Sequence, residues 1–418
     1  MARRKTFQEA MELVPLPAAS PNPNSTSGAS SLTNPDGSSN VTRYMSRRPA
    51  WLPGADLRAE IDDLGRGRPG FPVHEATFGG HVYAQSVLAV CQTLEQDTAA
   101  AQAAGRRFDV SALGLHTIHG YFTAAGKPDR PFVYEVAVLT RGRSFVTARV
   151  EARQPLAPSN QAPAKAQAQA QTGRAVPEDD TDFRGDAAGD GPLGVVCFTA
   201  IVSFVTPRPH SFGADCQEAP VQQRFAAVLG ERAPAAWAPS PPVDIDVLLE
   251  VLGRRDVVGT FPMVDMKKVD MTRYNDGRPL ADRRELILYR LLAPLPRATA
   301  AECNAHVLVH AYAADRNGLL MTANNLEFPL NDKVASLSNT FVVHTNVAAA
   351  AMTYHPPAAS DNDLAAGWWI QEVCFPRAGA GRAIILNKIW SPEGVHVATE
   401  YQDGLCIAQE KMPFDWKL

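Results

Sequence analysis

Three polar residues stand in otherwise apolar stretches of the C-terminal half, and their types could support acid–base chemistry. Asp315 ends an apolar run and precedes a short helical stretch, Ser336 lies inside an apolar strand, and Gln402 lies near the end of the last strand. A carboxylate at a helix N-terminus would stay ionised and could act as a base. Taken singly, each residue also fits an ordinary role, as a helix cap, a strand hydroxyl or an exposed amide.

Motifs of several other functional classes are missing from the sequence. It contains no Gly-x-Ser-x-Gly elbow and no HExxH, which counts against an α/β-hydrolase and a zinc protease. His116 and His119 would point to opposite faces of a strand and would not share a metal easily. The Gly-rich stretch Ala378–Arg382 is typical of a hairpin loop rather than a nucleotide loop. We therefore expect no bound metal and no cofactor.

Composition and charge limit the classes of partner. The 418 residues carry a net charge of −4, which leaves no basic surplus for nucleic acid. No stretch approaches the roughly 18 apolar residues of a membrane span, so we expect none. Six scattered cysteines favour a reducing, intracellular setting. The end Trp416-Lys417-Leu418 is a poor peroxisomal signal, so the cytoplasm and the peroxisome both stay open.

Hydrophobic periodicity predicts the elements that would have to position the polar side chains. Behind the turn Thr77–Gly80, apolar residues recur at spacings of three and four, which predicts an amphipathic helix. Strands follow in the patterns at 114–123, 132–141, 144–154 and 194–205. In the second half, 305–313 fits a helix or an extended apolar run, and strands are predicted at 285–292, 334–345, 368–375, 382–391 and 395–407. Both halves thus have a helical segment followed by antiparallel strands, which indicates two copies of one unit.

The composition along the chain predicts four regions. An N-terminal arm at 1–50 is expected to be largely disordered, because 17–47 is rich in Pro, Ser, Asn and Gly. The first unit, at 51–205, carries a low-complexity insertion at 155–193, which we expect at a hairpin tip. A Pro-rich connector at 206–262 leads to the second unit at 263–418, which holds the three polar residues.

Several stretches, in order along residues 70–410, carry a resemblance to a known family. Thr77–Gln85 and His116–Phe122 resemble the acyl-CoA thioesterase II (TesB-type) family. Several later stretches are similar to its fungal branch: Phe261-Pro262 with Met266–Met271, His310–Asn317, Ala335–Ser338, and Ile389–Thr399 with Gln402–Leu405.

This resemblance implies a fold, an activity and a set of site residues. The fold would be an α+β double hotdog, two tandem units that each wrap an antiparallel sheet around a long helix. Asp315, Ser336 and Gln402 would be catalytic and would hold one water that attacks the thioester of an acyl-CoA directly. Gly79, Gly80 and His81 would contact the substrate. The family often has a His-containing motif where this chain reads Ser338-Asn339-Thr340.

Other functions stay open at this point. The chain could release an acyl or polyketide chain from a carrier protein, or it could bind acyl-CoA without catalysis. A hotdog hydratase would need a catalytic histidine near the start of the helix, where His81 is the candidate. The N-terminal half lacks a matching trio, so we expect it to be a structural partner that helps to form the acyl tunnel. A homo-oligomer, a dimer of double hotdogs, is expected.

Overall fold

The computed structural model describes residues 4–17, 41–53, 76–103, 105, 110, 112–159, 182–183, 192–209, 216–240, 261–316, 318–326, 333–356, 363–364 and 367–407. The first half contains a short helix, two short strands, a long helix and four longer strands. Their bounds are α1 (Phe7–Met11), β1 (Leu13–Leu16), β2 (Thr42–Ser46), α2 (Gly79–Ala103), β3 (Gly114–Phe122), β4 (Val133–Arg141), β5 (Phe145–Arg153) and β6 (Phe198–Val205). The predicted helix is confirmed as the N-terminal part of α2, but the expectation that only one face is buried is wrong, because its first four turns are almost wholly buried.

The second half repeats this pattern after a segment of short elements. Those short elements are α3 (Val221–Arg224), α4 (Ala226–Leu229), β7 (Ala238–Pro239), β8 (Val264–Lys268) and α5 (Thr272–Asn275), with single 3₁₀ turns at Pro234–Ala236, Leu280–Asp282 and Val347–Ala350. The longer elements are β9 (Arg284–Leu291), α6 (Ala300–Ala314), α7 (Gly318–Asn325), β10 (Lys333–Val343), β11 (Trp369–Gly379), β12 (Arg382–Trp390) and β13 (His396–Ile407). The ambiguous apolar run is helical: Thr299 and Glu302 form a capping box that starts α6.

One antiparallel sheet joins the two halves within the described residues. Its strand order is β1-β2-β4-β5-β6-β3-β10-β13-β12-β11-β9-β8-β7, so that the halves meet where β3 pairs with β10. The long helices α2 and α6 pack against each other and against the sheet. Each half therefore wraps a sheet around one long helix, which is the predicted double hotdog. None of the helices in the described part of the chain is long and apolar enough to cross a membrane.

The N-terminal arm differs from the prediction. Residues 13–16 and 42–46 form strands, and β2 pairs with β4 at the edge of the first hotdog. Tyr44 and Met45 are completely buried there, because a short aromatic and apolar run follows the polar part of the arm. The intervening residues 18–40 lie outside the described residues. So does most of the insertion, whose two ends meet in a bridge between Pro155 and Leu193.

Candidate active site

Asp315 lies where the two hotdogs meet. It is the C-cap of α6, and its carboxylate is 5% exposed. The short helical stretch expected after it is α7, which begins at Gly318. A second helix N-terminus lies beside it from the other hotdog, because the backbone N–H of Gly80, in the first turn of α2, donates to the carboxylate. The favourable helix end is thus supplied from a distant part of the sequence.

Three side chains donate hydrogen bonds to one oxygen of Asp315. Ser336 Oγ lies 3.0 Å from Asp315 Oδ1, and Asn339 Nδ2 and Gln402 Nε2 each lie 2.8 Å from it. Gln402 Nε2 also donates to Ser336 Oγ at 2.8 Å. The structure therefore brings the three sequence-predicted residues into one hydrogen-bonded group and adds Asn339 to it.

A β-bulge allows Ser336 and Asn339 to reach the same carboxylate. Residues three apart in a regular strand point to opposite faces of a sheet. The register between β10 and β13 shifts by one residue directly after Ser336, so Ser336 lies opposite Gly404 and Asn339 lies opposite Gln402. Because 402 and 404 share a face of β13, their two partners on β10 also face Asp315.

Burial raises the pKa of the Asp315 carboxyl from its ordinary 3.8 to about 6. The hydrogen bonds from Asn339, Ser336, Gly80 and Gln402 favour the ionised form and limit this rise. The pKa of the carboxyl therefore stays below neutrality. The carboxyl is ionised at neutral pH and basic enough to take a proton from a bound water.

A cavity of about 360 Å³ opens beside the carboxylate. Its walls are mostly apolar and come from both hotdogs. The first hotdog and the segment before it contribute Trp51, Phe78, Val82, Phe122, Phe132 and Cys197, and the second contributes Leu319, Leu320, Val334 and Leu337 next to the three predicted residues. Such a pocket, apolar with a few convergent polar groups, is typical of small-molecule sites.

Gly79 and Gly80 lie at the site, whereas His81 does not line the cavity. A Cβ added at Gly79 would lie 3.1 Å from Asp315 Oδ2, and one at Gly80 would lie 3.0 Å from the carbonyl oxygen of Tyr312. The close approach of α2 to the carboxylate therefore depends on both glycines. His81 is 1% exposed, and burial lowers the pKa of its imidazole to about 4, so it is a neutral core residue.

A cysteine in the cavity wall stays protonated. Cys197 Sγ donates to the carbonyl oxygen of Ala152 at 3.1 Å. Burial raises the pKa of this thiol to about 12, so it stays protonated. A thiol without its thiolate is a poor nucleophile.

The strand pairing and the bulge of one hotdog correspond to those of the other. His119 and Thr340, 221 positions apart, pair with each other where β3 meets β10. A register shift after Leu115 in β3 corresponds to the shift after Ser336 in β10. The bulge is therefore part of the repeated unit.

The positions of the first hotdog that correspond to Ser336, Asn339 and Gln402 are apolar. Ile118 lies opposite Val202 on β6 in the same way that Asn339 lies opposite Gln402. The residues that correspond to the polar set are Leu115, Ile118 and Val202, all buried. Glu95 keeps one polar feature of the repeat. Its Oε1 accepts a bond from the backbone N–H of Ala301 at the start of α6, as the Asp315 carboxylate accepts one from Gly80 at the start of α2. Among the described residues, Ser336, Asn339 and Gln402 of the second hotdog thus have apolar counterparts in the first.

Sequence reasoning missed Asn339 as part of the polar group. It stands in an apolar strand close to Ser336, which is a usable signal. A spacing of three residues, however, places it on the opposite face of a regular strand, and nothing in the sequence marks the bulge. Gly318 was also missed: a Cβ there would lie 2.7 Å from Gln402 Oε1.

Comparison with known proteins finds similarity to acyl-CoA thioesterases. Residues 68–173 match the family model described as "Acyl-CoA thioesterase N-terminal domain". Acyl-coenzyme A thioesterase 8 of Mus musculus is 21% identical over 355 residues, which covers 82% of this chain and 84% of that protein. Acyl-CoA thioesterase 2 of Haemophilus influenzae is 32% identical over 98 residues, or 23% of this chain and 26% of that protein.

Solved structures were also compared. An acyl-CoA thioesterase II, TesB2, from Mycobacterium marinum is 19% identical and has a TM-score of 0.49, with 97% of this chain and 99% of that chain covered. A tesB protein from Mycobacterium avium subs paratuberculosis is 14% identical with a TM-score of 0.46, over 87% of this chain and 92% of that chain.

Proposed function

We propose that this chain, a member of the TesB-type acyl-CoA thioesterase II family, hydrolyses acyl-CoA to a free acid and CoA. The observation that carries the proposal is the group around Asp315 Oδ1, which accepts bonds from Ser336 and Gln402 at the wall of an apolar cavity. A base beside an apolar pocket suits an ester of a fatty acid.

In the proposed reaction, a water molecule is held by Asp315, Ser336 and Gln402. The amide oxygen of Gln402 is buried and has no hydrogen-bond partner among the described residues, which leaves an acceptor for this water. Asp315 takes one proton from the water while the water oxygen attacks the thioester carbonyl carbon. The C–S bond then breaks, its electron pair leaves with sulfur, and the proton on Asp315 passes to the CoA thiolate.

The negative charge that develops on the carbonyl oxygen needs hydrogen-bond donors. Two helices begin beside the carboxylate, α2 at Gly79 and α7 at Gly318, and both glycines line the cavity. The backbone N–H groups of Gly79 and Gly318 are the donors we assign to the oxyanion, because the N–H of Gly80 already donates to Asp315. The acyl chain would then lie against the apolar walls supplied by the first hotdog.

The test of this proposal measures release of CoA thiol from acyl-CoAs of several chain lengths. We expect Asp315→Asn to lower kcat/KM by about 10²-fold or more, as for the loss of a general base. Asp403→Asn is the matched control, because this residue follows Gln402 on β13 and pairs with Arg382 at 3.5 Å. Equal activity of Asp315→Asn and the wild type would refute the assigned base.

Ser336→Ala separates attack by water from attack by the serine. If the hydroxyl only holds the water, we expect Ser336→Ala to lower kcat/KM by about tenfold. The wild type should then release CoA without an initial burst. A serine nucleophile would instead form an acyl-enzyme, which hydroxylamine would trap in the wild type. Trapping of that species would overturn the direct mechanism.

The same preparation decides between the remaining alternatives. Faster release from an acyl carrier protein than from acyl-CoA would favour a biosynthetic thioesterase, and binding without any release would favour a non-catalytic protein. The fungal branch, the dimer of double hotdogs and the intracellular compartment stay predictions.

A further inference from the structure

A second buried carboxyl lies next to the proposed site. Glu400 is completely buried and stands two residues before Gln402, so both side chains lie on the same face of β13. Glu400 Oε2 accepts a hydrogen bond from Asn387 Nδ2 at 2.8 Å. Glu400 Oε1 is buried without a hydrogen-bond partner among the described residues. Burying a polar group without a hydrogen-bond partner costs folding free energy, so such a glutamate calls for a structural or chemical explanation.

Glu400 belongs to a network that ends at the residue before Asp315. Asn387 Nδ2 donates to the carbonyl oxygen of Ala314 at 3.1 Å as well as to Glu400. Gln371 Nε2 donates to the same carbonyl at 3.2 Å and to Asn387 Oδ1 at 3.0 Å. Three adjacent strands thus fix the last carbonyl of α6, and the carboxylate of Asp315 follows directly from it.

The groups that face Glu400 favour its neutral form. Its cross-strand neighbours are Phe341 on β10 and Asn387 on β12, neither of which carries a charge. The titratable groups that interact with it are Asp315 at the end of α6 and Tyr83 on α2. Burial and the negative charge of Asp315 both raise the pKa of the Glu400 carboxyl well above its ordinary 4.5.

We propose that Glu400 is a positioning residue that acts as a neutral acid: it orients Asn387, which together with Gln371 fixes the Ala314 carbonyl and so the position of Asp315. Ionisation of Glu400 would place a second negative charge beside a reaction that already develops one on the substrate. Turnover therefore falls at alkaline pH as Glu400 loses its proton. This inference rests on the proposed function for its kinetic readout.

The test compares pH profiles of kcat and KM for the wild type, Glu400→Gln and Glu400→Ala between pH 5.5 and 9.5. The amide of Glu400→Gln keeps an acceptor for Asn387 and cannot ionise. We expect its kcat at pH 7 to stay within about twofold of the wild type and its alkaline decline to disappear. Glu400→Ala removes the support of Asn387, so its kcat should fall by roughly 10- to 10²-fold with little change in KM.

Two controls keep this experiment decisive. Glu135→Gln changes a buried glutamate of the first hotdog that interacts with Arg43 at 3.5 Å, and it should keep the wild-type pH profile. If Glu400→Ala does not fold, Asn387→Ala can replace it. This variant removes the hydrogen bond from Asn387 to the Ala314 carbonyl directly and should lower kcat in the same way. Superimposable profiles for the wild type and Glu400→Gln, or wild-type kcat in the alanine variants, would overturn the inference.

The protonation state can also be read without substrate. At pH 8, infrared spectra of the wild type should contain the carbonyl band of a protonated carboxyl, and Glu400→Gln should lack it. Absence of this band from the wild type would overturn the inference even for an active enzyme. Absence of hydrolysis with every acyl-CoA would overturn the proposed function instead, so that the two failures are distinguishable.

Discussion

At the scale of single residues, the site depends on whether the buried carboxyl of Asp315 can stay ionised. Asp315 accepts bonds from three side chains and one backbone N–H, and these offset part of the cost of its burial. The remaining cost is expressed as a pKa of about 6. The same balance should be visible in activity and in stability.

The first prediction concerns pH. Because Asp315 must be ionised to act as a base, kcat/KM should fall below about pH 6, by about tenfold per pH unit well under that point. Its pKa is higher in the folded protein than in the unfolded chain, so its stabilising contribution is present at low pH and is lost as the pH rises from about 4 through 6. The melting temperature of Asp315→Asn, relative to that of the wild type, should therefore be higher at pH 7 than at pH 4. An equal difference at both pH values would contradict the assignment.

The second prediction concerns Asn339. Asn339→Leu removes the hydrogen bond that favours the ionised carboxylate most, so the acid limb of the kcat/KM profile should move to higher pH by up to about one unit. Activity at pH 8 should fall less than activity at pH 6. Ser338→Ala, on the neighbouring residue that faces away from Asp315, is the matched control. A uniform loss at all pH values would show that Asn339 acts only through packing.

At the scale of elements, alternation and periodicity predicted most strands to within a few residues, whereas α2 extends beyond the predicted helix and α6 was predicted only as a helix or an extended run. The positions of Asp315, Ser336 and Gln402 in the sequence could be predicted, but their convergence required the bulge in β10 and the start of α2 from the other half. A bulge leaves no signal in hydrophobic alternation, because Leu337 continues the apolar pattern. The strand β2 was missed because its five residues change little in the average composition of the long polar arm.

The third prediction tests the contact between α7 and Gln402. In an exposed helix, Gly→Ala is stabilising by up to about 1 kcal/mol. In Gly318→Ala, however, the new methyl group would lie 2.7 Å from Gln402 Oε1 and must displace that amide. We expect kcat to fall by roughly tenfold with a melting temperature within a few degrees of the wild type. Unchanged kcat in the folded variant would show that the amide oxygen is not needed.

At the scale of the whole molecule, the base and part of its electrostatic support lie in different halves. The carboxylate belongs to the second hotdog, and the Gly80 N–H and most of the aromatic wall belong to the first or precede it. The continuous sheet at β3 and β10 and the packing of α2 on α6 hold them together. Neither half contains the complete site.

The fourth prediction divides the chain between residues 209 and 216, after β6 and before α3. Each half produced alone should be inactive, at least 10²-fold below the intact chain, because it lacks either the base or the donors of α2. Each would also expose an unpaired sheet edge at β3 or β10 and tend to aggregate. Coexpression of the two halves should restore activity in a complex that copurifies. Full activity of the isolated C-terminal half would refute the shared site.

The cavity that both hotdogs line has a consequence for how such a protein can diversify. Trp51, Phe132 and Cys197 line the pocket and lie far in sequence from Asp315, Ser336 and Gln402. Substitutions at these three positions can therefore reshape the pocket while the carboxylate and its hydrogen bonds stay in place. Descendants of this scaffold thus have a short route to binding new ligands.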